Sequence, residues 1–246
     1  MCGRYVSPES AAIERAFHIG QSNSNPFGRR LNVLPTEQVP IVRRARDRDL
    51  ELTLARWGFA PGWWKEPKPP TNTFNARSEE APDKPMWRHS LTNARCILPA
   101  EGWYEWQAVE RPDPDTGEIK VVKQPHYIFR RDRRLVGIGG LMSLWHPSAD
   151  SAVLTCAILT RDAPASVAVV HDRMPVVLSE EKYDAWLDPS LTDSEGVAEL
   201  VSTAEMEFEH YPVTPRLNSA KTDEEDFTRE WKPEPPAAPR TRDLFS

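Results

Sequence analysis

Turn residues cut this chain into short apolar runs, and that limits it to a fold built mostly from short strands. Leu50, Leu52 and Leu54 alternate with Glu51 and Thr53, the two-residue period of a half-buried strand, and a charged turn precedes them. Residues 38–43 before that turn read as the other arm of a hairpin. Further strands are predicted at 95–99, 102–106, 126–130, 135–142, 152–160 and 208–213, with 111–117 as a Pro/Asp/Gly turn. Helices are few and short. Ser7-Pro8-Glu9 has the order of an N-cap, a first-position proline and a first-turn acid, predicting a helix through Phe17 that stops at Gly20. Ser179 is expected to cap a second helix through Leu187, and a third is expected over 194–204. Residues 21–31 and 65–73 read as loops. The pattern predicts an α+β fold, a single domain with a curved, largely antiparallel, barrel-like sheet flanked by short helices.

The chain has 246 residues, 39% hydrophobic and 28% charged, which suits one globular domain. The expected domain is 1–221; residues 222–246 are acidic, Pro-rich and expected to be a disordered tail. No stretch is long and apolar enough for a bilayer, and no signal-peptide pattern opens the chain. Three cysteines without a pairing pattern fit a reducing, intracellular setting, the cytoplasm or, in a eukaryote, the nucleus. Cys96 and Cys156 lie in apolar runs and read as ordinary buried residues. No metal, cofactor or membrane partner is expected, and the chain is expected to be a monomer. The net charge of −6 argues against nucleic acid until it is mapped. Residues 1–178 carry a net +4 and residues 179–209 a net −9, so the first part has charge for a basic face.

The chain opens Met1-Cys2-Gly3-Arg4. Removing Met1 would put an α-amine and a thiol on one residue. Such a pair can form a Schiff base with an aldehyde and then close a thiazolidine ring. Free amine and thiol titrate at about 7.7 and 8.5, so modest tuning is expected to make both nucleophilic near neutrality. Three further polar residues stand out: Asn75, Glu105 and His171. A carboxylate and an imidazole supply the proton transfers of Schiff-base chemistry. Glu105 is expected on the face of its strand that carries Trp103, with Tyr104 and Trp106 on the other, and its aromatic surroundings should raise its pKa. Trp57 reads as a core residue, whereas Trp63 and Trp64 beside Pro61-Gly62 read equally as caps on the core or as residues exposed for stacking.

Six ordered motifs carry a family resemblance: Met1-Cys2-Gly3-Arg4-Tyr5, Asn32-Val33-Leu34-Pro35, Trp57–Trp64, Asn75-Ala76-Arg77-Ser78-Glu79, Gly102-Trp103-Tyr104-Glu105-Trp106 and His171-Asp172-Arg173-Met174-Pro175. Together they resemble the SOS-response-associated peptidase (SRAP) domain family, from residue 2 to about 218. The resemblance implies a protein that crosslinks itself to abasic sites in single-stranded DNA, capturing the sugar aldehyde through Cys2 and shielding the lesion. It also implies self-removal of Met1, and with it lyase-type and autopeptidase activity. Cys2 would be the nucleophile, Glu105 and His171 the acid/base residues, and Asn75 the group that positions the N-terminus and sugar. Arg4 and Arg77 would bind phosphates and Trp106 would stack on bases, with Trp63, Trp64 and Pro40 further along the DNA channel and Asn218 in a minor role. Two other classes compete. An N-terminal-nucleophile amidotransferase also begins Met-Cys-Gly, but 11 glycines and the early Arg4 count against its Gly-rich glutamine pocket. A non-covalent single-strand binder would use the tryptophans and arginines alone.

Overall fold

A computed structural model of the chain describes residues 2–20, 26–45, 49–113, 116–202, 206–219 and 223–232. In chain order the elements are β1 (Tyr5–Ser7), α1 (Ser10–Ala16), β2 (Arg30–Val33), β3 (Gln38–Arg44), β4 (Leu50–Trp57), β5 (Asn75–Arg77), α2 (Arg88–Asn93), β6 (Arg95–Ala100), β7 (Gly102–Pro112) and β8 (Ile119–Arg130). There follow β9 (Val136–Ser148), β10 (Ser151–Asp162), α3 (Ala165–Ala168), β11 (Arg173–Pro175), β12 (Val177–Leu178), α4 (Tyr183–Leu187), α5 (Ser194–Ser202) and β13 (Phe208–Pro212). Single 3₁₀ turns span Glu180–Lys182, Pro215–Asn218 and Glu225–Thr228.

Two sheets result. The first has the order β13-β8-β7-β1-β2 and is antiparallel throughout. The second runs β11-β10-β4-β3-β6-β9-β12, and a further β9–β10 pairing curls it back on itself, closing the path β10-β4-β3-β6-β9. Among the described residues, only the β10–β4 and β10–β5 pairings are parallel. The expected curved, largely antiparallel sheet with short helices around it is what forms.

The core has three parts. Between the sheets lie Tyr5, Trp103, Ile128 and Phe208 from the first and Val39, Ile41, Trp57, Leu98 and Ile158 from the second, with Cys2 among them. Trp57 is at the centre, as expected, edge-on to Tyr5 and Phe74 and donating its indole N–H to the Phe74 carbonyl at 2.9 Å. The other face of the curled sheet packs on Ile13, Leu91, Trp186 and Val197 of the helices. The outer face of the first sheet carries Val6, Tyr104, Tyr127 and Phe129.

Several expectations are corrected. The first helix begins at Ser10, because Ser7 belongs to β1 and its backbone is taken by the ladder. It ends at Ala16, short of Gly20. Ser179 precedes a 3₁₀ turn and α4 but makes no side-chain cap. The end of the predicted helix over 194–204 lies outside the described residues after Ser202. Strand β2 occupies Arg30 and Leu31, expected as loop. Strands β7 to β10 are each longer than predicted. Residues 223–232, assigned to the tail, lie over the first sheet: Phe227 is fully buried beside Val213 and Leu217, and the Trp231 N–H reaches the Pro212 carbonyl at 2.8 Å. One phenylalanine in an acidic stretch leaves no period to read. Residues 233–246 lie outside the described residues.

Candidate active site

The pairing of β1 with β7 brings the chain start to the site. Tyr5 faces Trp103 and Val6 faces Gly102 in antiparallel register, and the Tyr104 N–H donates to the Arg4 carbonyl at 3.0 Å. Extended by the same register, residues 2–4 run beside 104–106. Gly102 is required here: a Cβ would meet the Ile128 carbonyl oxygen at 2.4 Å and the Tyr127 ring at 2.7 Å. Alternation along β7 then decides the faces. Trp103 and Glu105 point into the space between the sheets, and Tyr104 and Trp106 point outward, as predicted.

Cys2 is fully buried, its thiol 3.8 Å from the Arg4 carbonyl. The Asn75 amide, from β5 on the second sheet, donates to the Cys2 carbonyl at 2.7 Å. The Asn75 Oδ1 is buried and accepts no hydrogen bond among the described residues, so it has a lone pair to offer a donor. His171 lies in the connection from β10 to β11, with Nε2 3.8 Å from Glu105 Oε2. Its Nδ1 accepts the Arg173 backbone N–H at 3.0 Å, while the Asp172 carboxylate, equally near, is 87% exposed and solvated. The backbone bond therefore makes Nδ1 the acceptor and leaves the proton on Nε2, facing Glu105. All four sequence-predicted catalytic residues converge.

Their electrostatics are unusual. Glu105 is 2% exposed, and burial pushes its carboxyl up to about 7, against the pull of the N-terminal ammonium. Burial and the same ammonium lower His171, with Asp172 acting the other way. Near neutrality the histidine is neutral and the glutamate can give or take a proton. Burial, helped by the Glu105 charge, also raises the Cys2 thiol well above its ordinary value. This corrects the expectation of a thiol tuned toward neutrality. The resting thiol is protonated and weakly nucleophilic.

The DNA candidates divide. The Arg4 guanidinium lies over the Trp106 ring at 5.7 Å and bonds to Asn32 Oδ1 at 3.3 Å and to the Leu217 carbonyl. The Trp106 indole N–H donates to Asn218 Oδ1 at 2.6 Å, so Asn218 is part of this wall. Arg77 is exposed and pairs with Glu80 at 2.7 Å. Trp63 is 54% exposed, near Trp64 at 6.1 Å between rings. The Trp64 indole N–H is engaged within its own loop, donating to the Lys68 carbonyl at 2.9 Å. Pro40 is buried in β3 opposite Leu54, so it has no face for a base; that assignment is corrected.

Sequence reasoning missed three supports. Arg173 is clamped by Glu79 at 2.5 and 2.9 Å, by Asp162 at 2.5 Å and by the Thr160 carbonyl at 3.0 Å. This joins the Asn75–Glu79 motif to the His171–Pro175 motif and holds Glu79 below the ordinary carboxylate range. Asn32 is buried against Arg4. The Gln107 amide donates to the Val169 carbonyl at 2.8 Å; its place in the β7 alternation was the available signal. Among the described residues no three His, Cys, Asp or Glu side chains converge as metal ligands, and no helix is long and apolar enough to cross a membrane.

Comparison with known proteins adds relatives and a fold. The chain is 32% identical over 224 residues to the abasic site processing protein YoqW of Bacillus subtilis, covering 90% of this chain and 96% of the relative. It is 30% identical over 236 residues to YedK of Escherichia coli, also called an abasic site processing protein, covering 90% and 96%. It is 28% identical over 193 residues to HMCES of Xenopus tropicalis, which bears the same description, covering 69% of this chain and 54% of the relative. A crystal structure of a Bacteroides thetaiotaomicron protein shares the fold, with a TM-score of 0.75, 21% identity and coverage of 93% of this chain and all of that one. Residues 1–220 match the model of the SOS response associated peptidase (SRAP) family, and the chain belongs to that family.

Proposed function

We propose that this protein processes abasic sites in single-stranded DNA by crosslinking to them through Cys2, after removing Met1 itself. The observation that carries the reading is one buried carboxyl, Glu105, set between the N-terminus and His171 and pushed up to about 7. Relatives covering nine-tenths of the chain are called abasic site processing proteins, which supplies the substrate.

In the proposed sequence, hydrolysis of the Met1–Cys2 bond frees the Cys2 amine. The amine adds to C1 of the ring-opened abasic sugar, forming a C–N bond as a proton moves to the aldehyde oxygen. Glu105 in its acid form protonates the departing hydroxyl, water leaves and a protonated imine remains. The Cys2 sulfur then adds to the imine carbon, its proton returns to the Glu105 carboxylate, and the thiazolidine closes. The raised thiol puts the amine first, because the neutral thiol needs the stronger imine electrophile. His171 Nε2–H helps open the sugar ring by hydrogen-bonding its oxygen. Asn75 holds the Cys2 carbonyl with its amide N–H groups and offers Oδ1 to the freed amine. Arg4, Arg77 and Trp106 bind the strand through phosphates and stacking.

The test is denaturing electrophoresis after incubation with an abasic single strand. Wild type should give a band that survives denaturant, and Cys2→Ala should give none, while Cys96→Ala and Cys156→Ala keep it. A protein carrying an uncleavable N-terminal extension, verified by mass spectrometry, should bind DNA without forming the band, since an acylated nitrogen cannot form a Schiff base. A stable adduct from Cys2→Ala or from the blocked protein overturns the mechanism.

A further inference from the structure

Strand β7 touches the loop before β11 at two places. Glu105 faces His171 across 3.8 Å, and Gln107 donates to the Val169 carbonyl at 2.8 Å. Both pairs are spaced by two residues along their own segments. Gln107 points the same way as Glu105 because a strand repeats its face every second residue, about 7 Å on. The first contact is between the proposed reacting groups. The second is neutral and unreactive.

The loop needs a hold at that point. α3 is a single turn of four residues, and Val169 follows it, so the Val169 carbonyl is among the last ones that a helix leaves unmet. Upstream the loop is fixed by Val167, which is fully buried, and by Val170. Downstream it is fixed by the Ala163 N–H to the Asp172 carbonyl at 2.8 Å and by the Arg173 clamp. Val167 and Val170 pack into the core between the sheets, and the other anchors tie the loop to β10, β11 and Glu79. Gln107 adds a hydrogen bond to β7, the strand carrying Glu105. The Val169 side chain itself is 59% exposed and anchors nothing.

We infer that Gln107 is a positioning residue for the crosslinking chemistry: its amide sets the distance of His171 from Glu105 by holding the Val169 carbonyl against β7. The inference rests on the proposed function and names no new reacting group. Loss of the donor should let the loop drift from β7 and slow the proton transfers, because displacements of an ångström at reacting groups cost up to about 100-fold in rate. DNA binding, which depends on other side chains, should hardly change.

The experiment is single-turnover crosslinking to an abasic single strand at saturating protein, with affinity measured separately by anisotropy. Gln107→Met keeps the length and apolar stem and removes the donor. It should lower the maximal rate about tenfold and shift the pH–rate profile, with affinity within about twofold of wild type. Gln107→Lys keeps an N–H donor with the reach to Val169 and should retain most of the rate. In a His171→Ala background, followed over long incubations, Gln107→Met should cost nothing more, since the group it positions is gone. A wild-type maximal rate in Gln107→Met, an equal loss in Gln107→Lys, or the same tenfold loss without His171 overturns the inference. If wild type itself forms no denaturant-resistant adduct, the proposed function falls and this inference with it; if wild type crosslinks and the variant series fails, only the inference falls.

Discussion

Replacing Glu105 by glutamine should stabilise the protein at neutral pH while slowing its chemistry, and the stabilisation can be sized. The carboxyl is 2% exposed and is raised from 4.5 to about 7 by burial. Between those two values the unfolded chain has lost the proton and the folded chain still holds it. Stability therefore falls as pH rises through that window and levels off above it. A displacement of that size corresponds to about 3 kcal/mol, at roughly 1.4 kcal/mol per pH unit. Glutamine fills the same space and does not titrate. Denaturant unfolding of both proteins between pH 4 and 8 should give a stability difference that is flat near pH 4 and grows by about 3 kcal/mol in favour of Glu105→Gln by pH 8. The histidines titrate in both proteins and cancel in the difference. Because the N-terminal ammonium holds the carboxyl down, acetylating the N-terminus should enlarge the difference. In the same preparation the crosslinking rate should fall by about 10²–10⁴ with loss of the proton relay. A difference independent of pH, or one growing toward acid, would refute a buried carboxyl held protonated by desolvation.

Four shorter predictions accompany it. His126 lies across from Glu105 and meets His210 at 3.2 Å between ring nitrogens, and burial lowers it to about 4. The stability this histidine gives by staying neutral is present above pH 6.5 and lost as pH falls toward 4, by up to about 3 kcal/mol, so thermal melts of His126→Gln should show a shallower acid limb. Phe227→Ala should cost about 3–5 kcal/mol in denaturant unfolding, since the ring is fully buried; a loss under 1 kcal/mol would show that residues 223–232 are not part of the folded unit. Arg77→Ala should make the salt dependence of single-strand binding shallower by about one unit, and Trp106→Ala should weaken binding by about 1–3 kcal/mol for any base; wild-type affinity and slope in both would move the channel elsewhere. Iodoacetamide at pH 7.5 should leave Cys2, Cys96 and Cys156 of the native protein almost unmodified, as mass spectrometry can establish, and rapid labelling of Cys2 would contradict its buried, protonated state.

How much of this was legible depended on whether one face of an element meets water. β4 was found from the alternation of Leu50, Leu52 and Leu54 with Glu51 and Thr53, but its faces were misjudged, since Leu54 is exposed and Ala55 and Trp57, on the side of the polar pair, are fully buried. Glu105 could be assigned a face from four neighbours. β1 was not found, because Tyr5, Val6 and Ser7 are all buried and no polar residue marks an alternation. Ser7-Pro8-Glu9 had the composition of a helix start, but the pairing with Arg30 claimed Ser7, and tertiary pairing outweighs a local cap. At the site, the residue types suggested the chemistry, and ordered motifs named a family. Neither could say that Glu79 and Arg173, far apart in sequence, pair to join two motifs. Nor could alternation say what Gln107 meets, since a face is a local property and a contact is not.

The buried thiol explains why the site is built around a carboxyl rather than a strong base. Cys2 lies in the core between the sheets with Trp103, Trp57 and Cys156. Such surroundings disfavour a thiolate and protect sulfur from oxidants and alkylators while no DNA is bound. On the proposed mechanism the sulfur needs no standing activation, because imine formation creates a strong electrophile within reach of the same residue. What the site must supply is proton movement, twice and in opposite directions. A group poised near the ambient pH does that better than one fixed in either form. Glu105 is brought there by desolvation, and its contact with His171 is left at 3.8 Å, too long for a formed hydrogen bond. Substrate or product can close that gap.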